Sequence, residues 1–386
     1  MKKIITLIVI GFTTTVTAQI KDSFIFKQYA PEISFIIMDS IHGAQSMIIE
    51  YPKYLVIVEA PIIDAGGGKA HDLNEDSLGN EKFIKYLGSK FPKKPIKYVL
   101  SSHWHQHSLS GVSSFINNGA KIVTTKQNWN YAISNGLLSE SNLKKAKSNI
   151  IEINKDSVLL ANSENPIKVL YLDSTYKNKP TKDYLFFFLT KKSILHASCM
   201  GAINNKDLKK EGDYIYGERL IDLFRLVNEK KIKVDKLVSL SREDCKNGEF
   251  EPGIYNQTFV ESFYKKGKSA EEVMKPFTEM SNEKIALKSD SIIMEINKWE
   301  ISVFAVKAII SECIRNKELE KALLFAKMAK IYFPSYFIII DMLGEAYFLN
   351  NNLAFAKYFS ETLLKSDPKW SGGIKVWEEN KKLNKY

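Results

Sequence analysis

Three of the six histidines in this chain fall in one short run, His103-Trp104-His105-Gln106-His107. Imidazole nitrogens are common metal ligands, so such a cluster points to metal binding. Geometry restricts how it can act. In an extended chain, residues two apart point the same way at about 6.6 Å, which puts His103 and His107 about 13 Å apart. That is too far to share a metal whose nitrogen ligands lie about 2.1 Å from it. On a helix, His105 faces away from the other two. Only a curled loop brings the imidazoles together.

The flanking residues supply that loop. A β-rich run, Pro95-Ile-Lys-Tyr-Val-Leu100, precedes the histidines, and Gly111 followed by a helical segment over Val112-Asn118 comes after them. The cluster is thus expected at the C-terminal end of a strand, where α/β proteins tend to place their sites. Short β-rich runs alternate with Lys-rich helical stretches from Ser23 to about Glu249: Ile33-Met38, Tyr54-Glu59, Ile96-Leu100, Lys121-Thr124, Lys168-Leu172, Tyr184-Leu189 and Lys236-Leu240. This is an α/β layout. The run Tyr184-Leu-Phe-Phe-Phe-Leu189 is apolar at every position, which predicts an interior strand covered on both faces.

Beyond about Gln257 the pattern becomes helical. Ala322 and Ala356, like Pro334 and Pro368, recur at a 34-residue spacing, and Gly344, Ala346 and Tyr347 sit where helix pairs need small and aromatic packing residues. These offsets resemble tetratricopeptide repeats, with Ile310 and Cys313 as departures in the first unit. Such repeats could dock a protein partner; a helical hairpin extension with no binding duty accounts for the pattern equally well.

Composition narrows the class. A chain of 386 residues, 45% hydrophobic and 26% charged, calls for two folded units. Aromatic content of 12% excludes a disordered chain, and three cysteines exclude a disulfide scaffold. The net charge of +11 is scattered, with no nucleic-acid-binding signature, so nucleic acid is not an expected partner. Lys2 and Lys3, the apolar Ile4-Phe12 and the small residues of Val16-Thr-Ala18 before Gln19 read as a secretory signal. The mature protein is therefore expected in a periplasm or outside the cell. No later stretch has the length and apolarity of a transmembrane segment.

The loop also carries a resemblance. Ile96-Lys-Tyr-Val-Leu-Ser-Ser-His-Trp-His-Gln-His-Ser-Leu-Ser-Gly111, followed by Asn118-Gly-Ala-Lys-Ile-Val-Thr-Thr125, resembles the metal-binding loop of the metallo-β-lactamase superfamily, H-x-H-x-D-H-x-G-G. Tyr54-Leu-Val-Ile-Val-Glu-Ala-Pro61 is similar to the family's lead-in strand, with Glu59 at its acidic position. Lys192-Ser-Ile-Leu-His-Ala-Ser-Cys199 is similar to the strand that delivers a bridging aspartate or a zinc-binding cysteine. The likeness spans roughly residues 30 to 245 and implies an αββα sandwich. The expected organisation is a signal peptide over 1-18, a metallo-β-lactamase-like domain over 19-256, a helical connector over 257-295 and all-α, tetratricopeptide-like repeats over 296-386.

The departures are chemical. His103 and His105 match the first two histidines of the motif, but His107 takes the place of the aspartate and Ser108 that of the next histidine. The family's third ligand should fall near Pro180, and its last histidine where Ser241 stands. In the family, two zincs activate a bridging water that the aspartate helps orient, and a neutral imidazole cannot replace that carboxylate. The resemblance thus implies a degenerate site without dinuclear hydrolysis, in a protein that binds a small-molecule ligand or a partner. The remaining set, His103, His105, His107 and Cys199, suits at most one zinc ion and would make a remodelled mononuclear hydrolase the alternative. A third reading keeps the histidines hydrogen-bonded in the loop and Cys199 as a small buried hydrophobe. No residue is assigned a catalytic role. His196 alternates away from Cys199 and is expected to be packed or hydrogen-bonded, and Gly66-Gly-Gly68 with His71 is expected to form a surface turn or a loop over the site.

Overall fold

Strand alternation in this chain sorts side chains into separate layers. The computed structural model describes residues 24–38, 45–60, 73–109, 111–134, 148–201, 215–216, 218–240, 243–244, 250–299, 301, 303–366 and 372–383. The first sheet runs in sequence order through β1 (Phe24–Ala30), β2 (Ile33–Met38), β3 (Gln45–Glu50), β4 (Leu55–Val58), β5 (Ile96–Leu100), β6 (Lys121–Thr124) and β7 (Ile150–Glu152). Its first half is an antiparallel meander, and from β4 onward the strands are parallel. Parallel neighbours need crossovers, supplied here by the helices Leu73–Lys90, Val112–Asn117 and Lys126–Ser134.

The second sheet contains β8 (Ser157–Leu159), β9 (Ile167–Leu172), β10 (Tyr184–Leu189) and β11 (Ile194–Ser198). The short β12 (Ile215–Tyr216) lies outside it, and β13 (Lys236–Ser239) joins β11 in parallel. The small pair β14 (Glu243–Asp244) and β15 (Phe250–Glu251) precedes β16 (Ile254–Asn256), which completes the order β16-β13-β11-β10-β9-β8. A further short strand, β17 (Lys268–Ser269), pairs with β12.

The layers follow from which residues each strand face buries. Phe35, Val56, Val58, Leu100 and Val123 of the first sheet meet Val169, Leu185, Phe187, Ile194 and Val238 of the second. The alternate residues of the first sheet, Ile36, Leu55, Ile57 and Val99, pack under Phe83, Leu87, Val112 and Phe115 of the helices. Those of the second, Tyr184, Phe186, Leu195 and Leu237, pack under Leu220, Leu223 and Phe224 of the helix Arg219–Glu229. The result is an α/β sandwich of two sheets with helices on both outer faces. β10 is buried at all of its positions and lies between β9 and β11, which is why its sequence shows no polar alternation.

Beyond Ser269 the described elements are all helices. Helices Ala270–Thr278, Asn282–Leu287, Ser289–Lys298, Val303–Arg315, Leu319–Tyr332, Phe337–Leu349, Leu353–Ser366 and Ile374–Lys382 share a core that runs from Ala270 to Trp377. Ser269 opens this unit with a reciprocal cap: its hydroxyl accepts from the Glu272 N–H while the Glu272 carboxylate accepts from its own N–H. The four helices from Val303 to Ser366 pack consecutively, and Trp377 of the last helix closes against Gly344, where a side chain would strike its indole. The unit is strapped to the sandwich by the β12–β17 pairing and by the Glu271 N–H, which donates to the Glu218 carboxylate. No helix among the described residues is long and apolar enough to cross a membrane.

Candidate metal centre

The site lies where β4, β5 and β11 end. After β5 the chain runs Ser101-Ser102-His103 and then curls, with the Ser108 and Leu109 N–H groups donating back to the His105 carbonyl. This turn folds the histidine run out of the extended geometry that would separate its imidazoles. Its far side is pinned to the end of β4, because the Ala60 N–H donates to the Ser108 carbonyl and the Gly111 N–H to the Ala60 carbonyl. The Leu185 N–H of β10 donates to the Ser102 carbonyl, tying this loop to the other sheet.

On that sheet, β11 ends at Ser198, whose φ of 49° is left-handed. That kink leads into a 3-10 turn over Cys199–Gly201. Nitrogen atoms of His103 and His105 and the sulfur of Cys199 all come within 4.8 Å of one another. Tetrahedral zinc with bonds of about 2.1 Å to nitrogen and 2.3 Å to sulfur spaces its ligands about 3.4–3.8 Å apart, so a small contraction would close these three onto one ion. Two imidazoles and a thiol are also the right chemistry for zinc. The side chain of His107 lies outside the described residues, as do His71, Gly66–Gly68 and Ser241.

The rings are held firmly. Tyr184 stacks on His103 at 4.8 Å between centroids, and His105 meets His103 edge-on at 4.5 Å and Trp104 at 4.7 Å. Trp104 in turn stacks on Tyr131 at 4.1 Å. Ser102 Oγ and His103 Nδ1 are 2.7 Å apart. A histidine engaged through Nδ1 presents Nε2 to a metal.

Beneath the triad is a buried polar cluster. Glu59, the residue after β4, is fully buried with a φ of 67°. Ser108 donates to its Oε2, the Ser46 hydroxyl donates to its carbonyl, and its Oε1 has no hydrogen-bond partner among the described residues. Burial pushes the Glu59 carboxyl up to about 7, against the pull of the Ser102, Ser108 and Ser198 hydroxyls beside it. Burial also drives the Cys199 thiol up to about 12, partly offset by Arg219, whose guanidinium donates to the Cys199 carbonyl at 3.3 Å. His105 is lowered to about 4, first by burial and then by the positive charges of Arg219 and Lys307. Without a metal the centre therefore holds a neutral imidazole at His105 and a neutral thiol at Cys199, and a bound cation would take the thiolate form by displacing its proton.

The histidine run singled out His103, His105 and His107, and the resemblance added Cys199; the structure brings His103, His105 and Cys199 together. The serines at 101, 102, 108 and 198 and the cations Arg219 and Lys307 carried no motif of their own. The Ser-Ser dipeptide ahead of His103 is the one signal that could have exposed part of that cluster. His196 is fully buried, and neither ring nitrogen has a hydrogen-bond partner among the described residues, which fits a packed histidine.

Layers and site together define an α/β sandwich resembling the metallo-β-lactamase fold, with a His-His-Cys cluster at one edge and a helical unit following it. Among solved structures, the chain is similar to a metallo-β-lactamase from Pontibacter korlensis at 15% identity, covering 62% of this chain and 95% of that one with a TM-score of 0.43. It is also similar to one from Hirschia baltica at 14% identity, over 63% of this chain and 98% of that one, with a TM-score of 0.42. A third, from Pseudomonas aeruginosa in a mono-zinc form, is 12% identical over 63% of this chain and 93% of its own, with a TM-score of 0.42. No family model matches the sequence, and no curated protein matches it.

Proposed function

We propose that this chain is an exported protein whose metal centre, remodelled to His103, His105 and Cys199, holds one zinc ion and binds a small-molecule ligand or partner in place of dinuclear hydrolysis. The observation that carries the reading is the convergence of the three ligand atoms within 4.8 Å from two different sheets. Two features argue against the dinuclear chemistry. His107 stands where that chemistry uses a carboxylate, and no further His, Cys, Asp or Glu among the described residues joins the cluster.

A specific observation also supports hydrolysis at a mononuclear site. Three protein ligands leave the fourth tetrahedral position of a zinc ion open, as catalytic sites do. When bound, zinc would supply Lewis acidity and an acidified water there. The residues of the chain have separable duties: the Tyr184 stack orients His103, Trp104 braces His105, and Arg219 favours the thiolate of Cys199.

Zinc stoichiometry of the purified mature chain is the test. One equivalent retained through dialysis, and lost in both His105→Ala and Cys199→Ala, supports the centre. No zinc in the unaltered protein refutes it. Turnover of ester, thioester, lactone or β-lactam substrates by the zinc-loaded protein, abolished in the same variants, would select the hydrolase over the binding protein. Export is read from residues 1–18, which lie outside the described residues, and is checked by the N-terminal sequence of the secreted product. The helical unit is proposed as a second, protein-binding surface; loss of a captured partner on removing the chain beyond residue 266, with the sandwich still folded, would locate that binding.

A further inference from the structure

We propose that Tyr184 is the positioning residue of the centre: its ring seats His103 and its hydroxyl holds the strand end that aims Cys199, so one side chain fixes the spacing of ligands delivered from both sheets. This inference rests on the zinc-centre reading above, and Tyr184 is not one of the three ligands.

β10 opens at Tyr184, and at that end it changes partners. Its ladder with β11 pairs Leu189 with Ile194, Phe188 with Leu195 and Phe187 with His196, and goes no further. Two residues closer to the site, the Leu185 N–H donates instead to the Ser102 carbonyl of the histidine loop at 2.9 Å. Tyr184 itself stays paired with Leu172 of β9, so its backbone is held while its side chain reaches from the loop to β11. Its ring lies on that of His103 at 4.8 Å between centroids and 28° between planes, and its hydroxyl donates to the Ala197 carbonyl at 3.1 Å. Tyr184 is fully buried, so water does not compete for either contact.

The place of Ala197 gives that hydrogen bond its consequence. β11 pairs His196 with Val238 of β13 and then Ser198 with Ser239, so Ala197 is passed over, and it also lies beyond the last pair with β10. A residue passed over in this way bends its strand and re-aims the side chains that follow. Ser198, at a φ of 49°, continues the bend, and Cys199 leaves it with its sulfur within 4.8 Å of nitrogens of His103 and His105. The phenol therefore grips β11 at the bend itself. Tyr184 shares its apolar core with Phe186, Phe188 and Leu195, where phenylalanine would fill the same space. The hydroxyl is the part that space-filling does not call for, and its partner is the carbonyl at the bend. On the other side the stack passes to the second imidazole, since His105 meets His103 edge-on at 4.5 Å.

The test measures zinc affinity, by chelator competition, and the visible and near-ultraviolet spectrum of the cobalt-substituted protein for Tyr184→Phe, Tyr184→Leu and, as a control from the same strand and core, Phe188→Leu. Tyr184→Phe keeps the stack and loses the bond to Ala197; it should weaken zinc binding about 10-fold and diminish the sulfur-to-cobalt charge-transfer band, which reports Cys199. Tyr184→Leu loses both contacts and should weaken zinc binding about 100-fold, with the ligand-field bands altered as well. Phe188→Leu removes a buried ring away from the ligands. It should lower the melting temperature of the metal-free protein and leave zinc affinity and both sets of bands unchanged, which separates positioning from general support of the core. Melting of the metal-free variants shows that each has folded, and Tyr184→Phe keeps the test alive if Tyr184→Leu does not fold. Zinc affinity within twofold of the unaltered chain or an unchanged charge-transfer band in Tyr184→Phe, or a loss of affinity in Phe188→Leu equal to that in Tyr184→Leu, overturns the proposal. An unaltered chain that takes up no zinc refutes instead the centre on which it rests.

Discussion

At the end of the sandwich where β4, β5 and β11 stop, Glu59, Ser101, Ser102, His103, Ser108 and Ser198 are all withdrawn from solvent. In the helical unit, the core from Ala270 to Trp377 is apolar, and among the described residues the buried Ser269 caps its own helix while the buried Ser360 accepts from the Ile374 N–H of the last helix. The helical unit thus pairs these hydroxyls with backbone donors, Ser269 within its own first turn and Ser360 across to the next helix. Among the described residues the sandwich edge leaves Glu59 Oε1 without a hydrogen-bond partner, and it holds Glu59 and Ser198 in left-handed backbone. Departures from local consistency of this kind concentrate at functional sites, so the difference supports the proposed metal centre at the sandwich edge.

The largest separation between the two regions should appear in paired variants. Cys199→Ala is expected to abolish zinc uptake, measured by metal analysis, while leaving the helical unit's melting transition in place. Trp377→Ala is expected to do the reverse: it removes a buried indole and should cost the helical unit about 3–5 kcal/mol in denaturant unfolding with zinc stoichiometry unchanged. Loss of zinc in the second variant would show that the regions are coupled through the β12–β17 strap. Gly344→Ala should destabilise the same unit by about 1–3 kcal/mol, since the added methyl meets the Trp377 ring.

A finer contrast lies in pH. Burial lowers His196 to about 3, so its contribution to stability is present above its unfolded value of 6.5 and is lost as pH falls toward 3. Burial raises Glu59 to about 7 from 4.5, so its contribution is present below 4.5 and is lost as pH rises through 7. Between pH 4.5 and 6.5 the two oppose each other in the metal-free protein. Relative to the unaltered chain, the melting temperature of Glu59→Gln should rise more steeply with pH across that window, and that of His196→Phe should fall. Parallel curves for all three proteins would contradict the assignment. The smallest effect is expected from Ser198→Gly, which relieves a φ of 49°; it should stabilise the metal-free protein by about 1 kcal/mol at most.

Much of the framework was legible because it is local. The apolar run at Tyr184-Leu189 announced a strand covered on both sides, and the runs at Ile96-Leu100 and Lys121-Thr124 matched strands residue for residue. Phe24–Ala30 and Gln45–Glu50 escaped notice, since Lys27, Gln28, Gln45 and Ser46 break up their apolar character, although their pairing with β2 completes the meander. The continuity of the helical core from Ala270 through Ile292 to Trp377 was equally hidden, because helical periodicity shows which face of a helix is buried and not which neighbour covers it.

The sequence by itself determined the histidine loop, the acidic residue at 59 and the presence of a thiol after a β-rich run, for each is written in consecutive residues. Only the tertiary structure decided that they meet. Glu59, His103 and Cys199 follow three different strands, and it is sheet pairing, packing between the sheets and the backbone kinks at 59 and 198 that bring them to one edge. Their distances depend on contacts between residues far apart in the chain, and such contacts leave no periodic mark on a sequence.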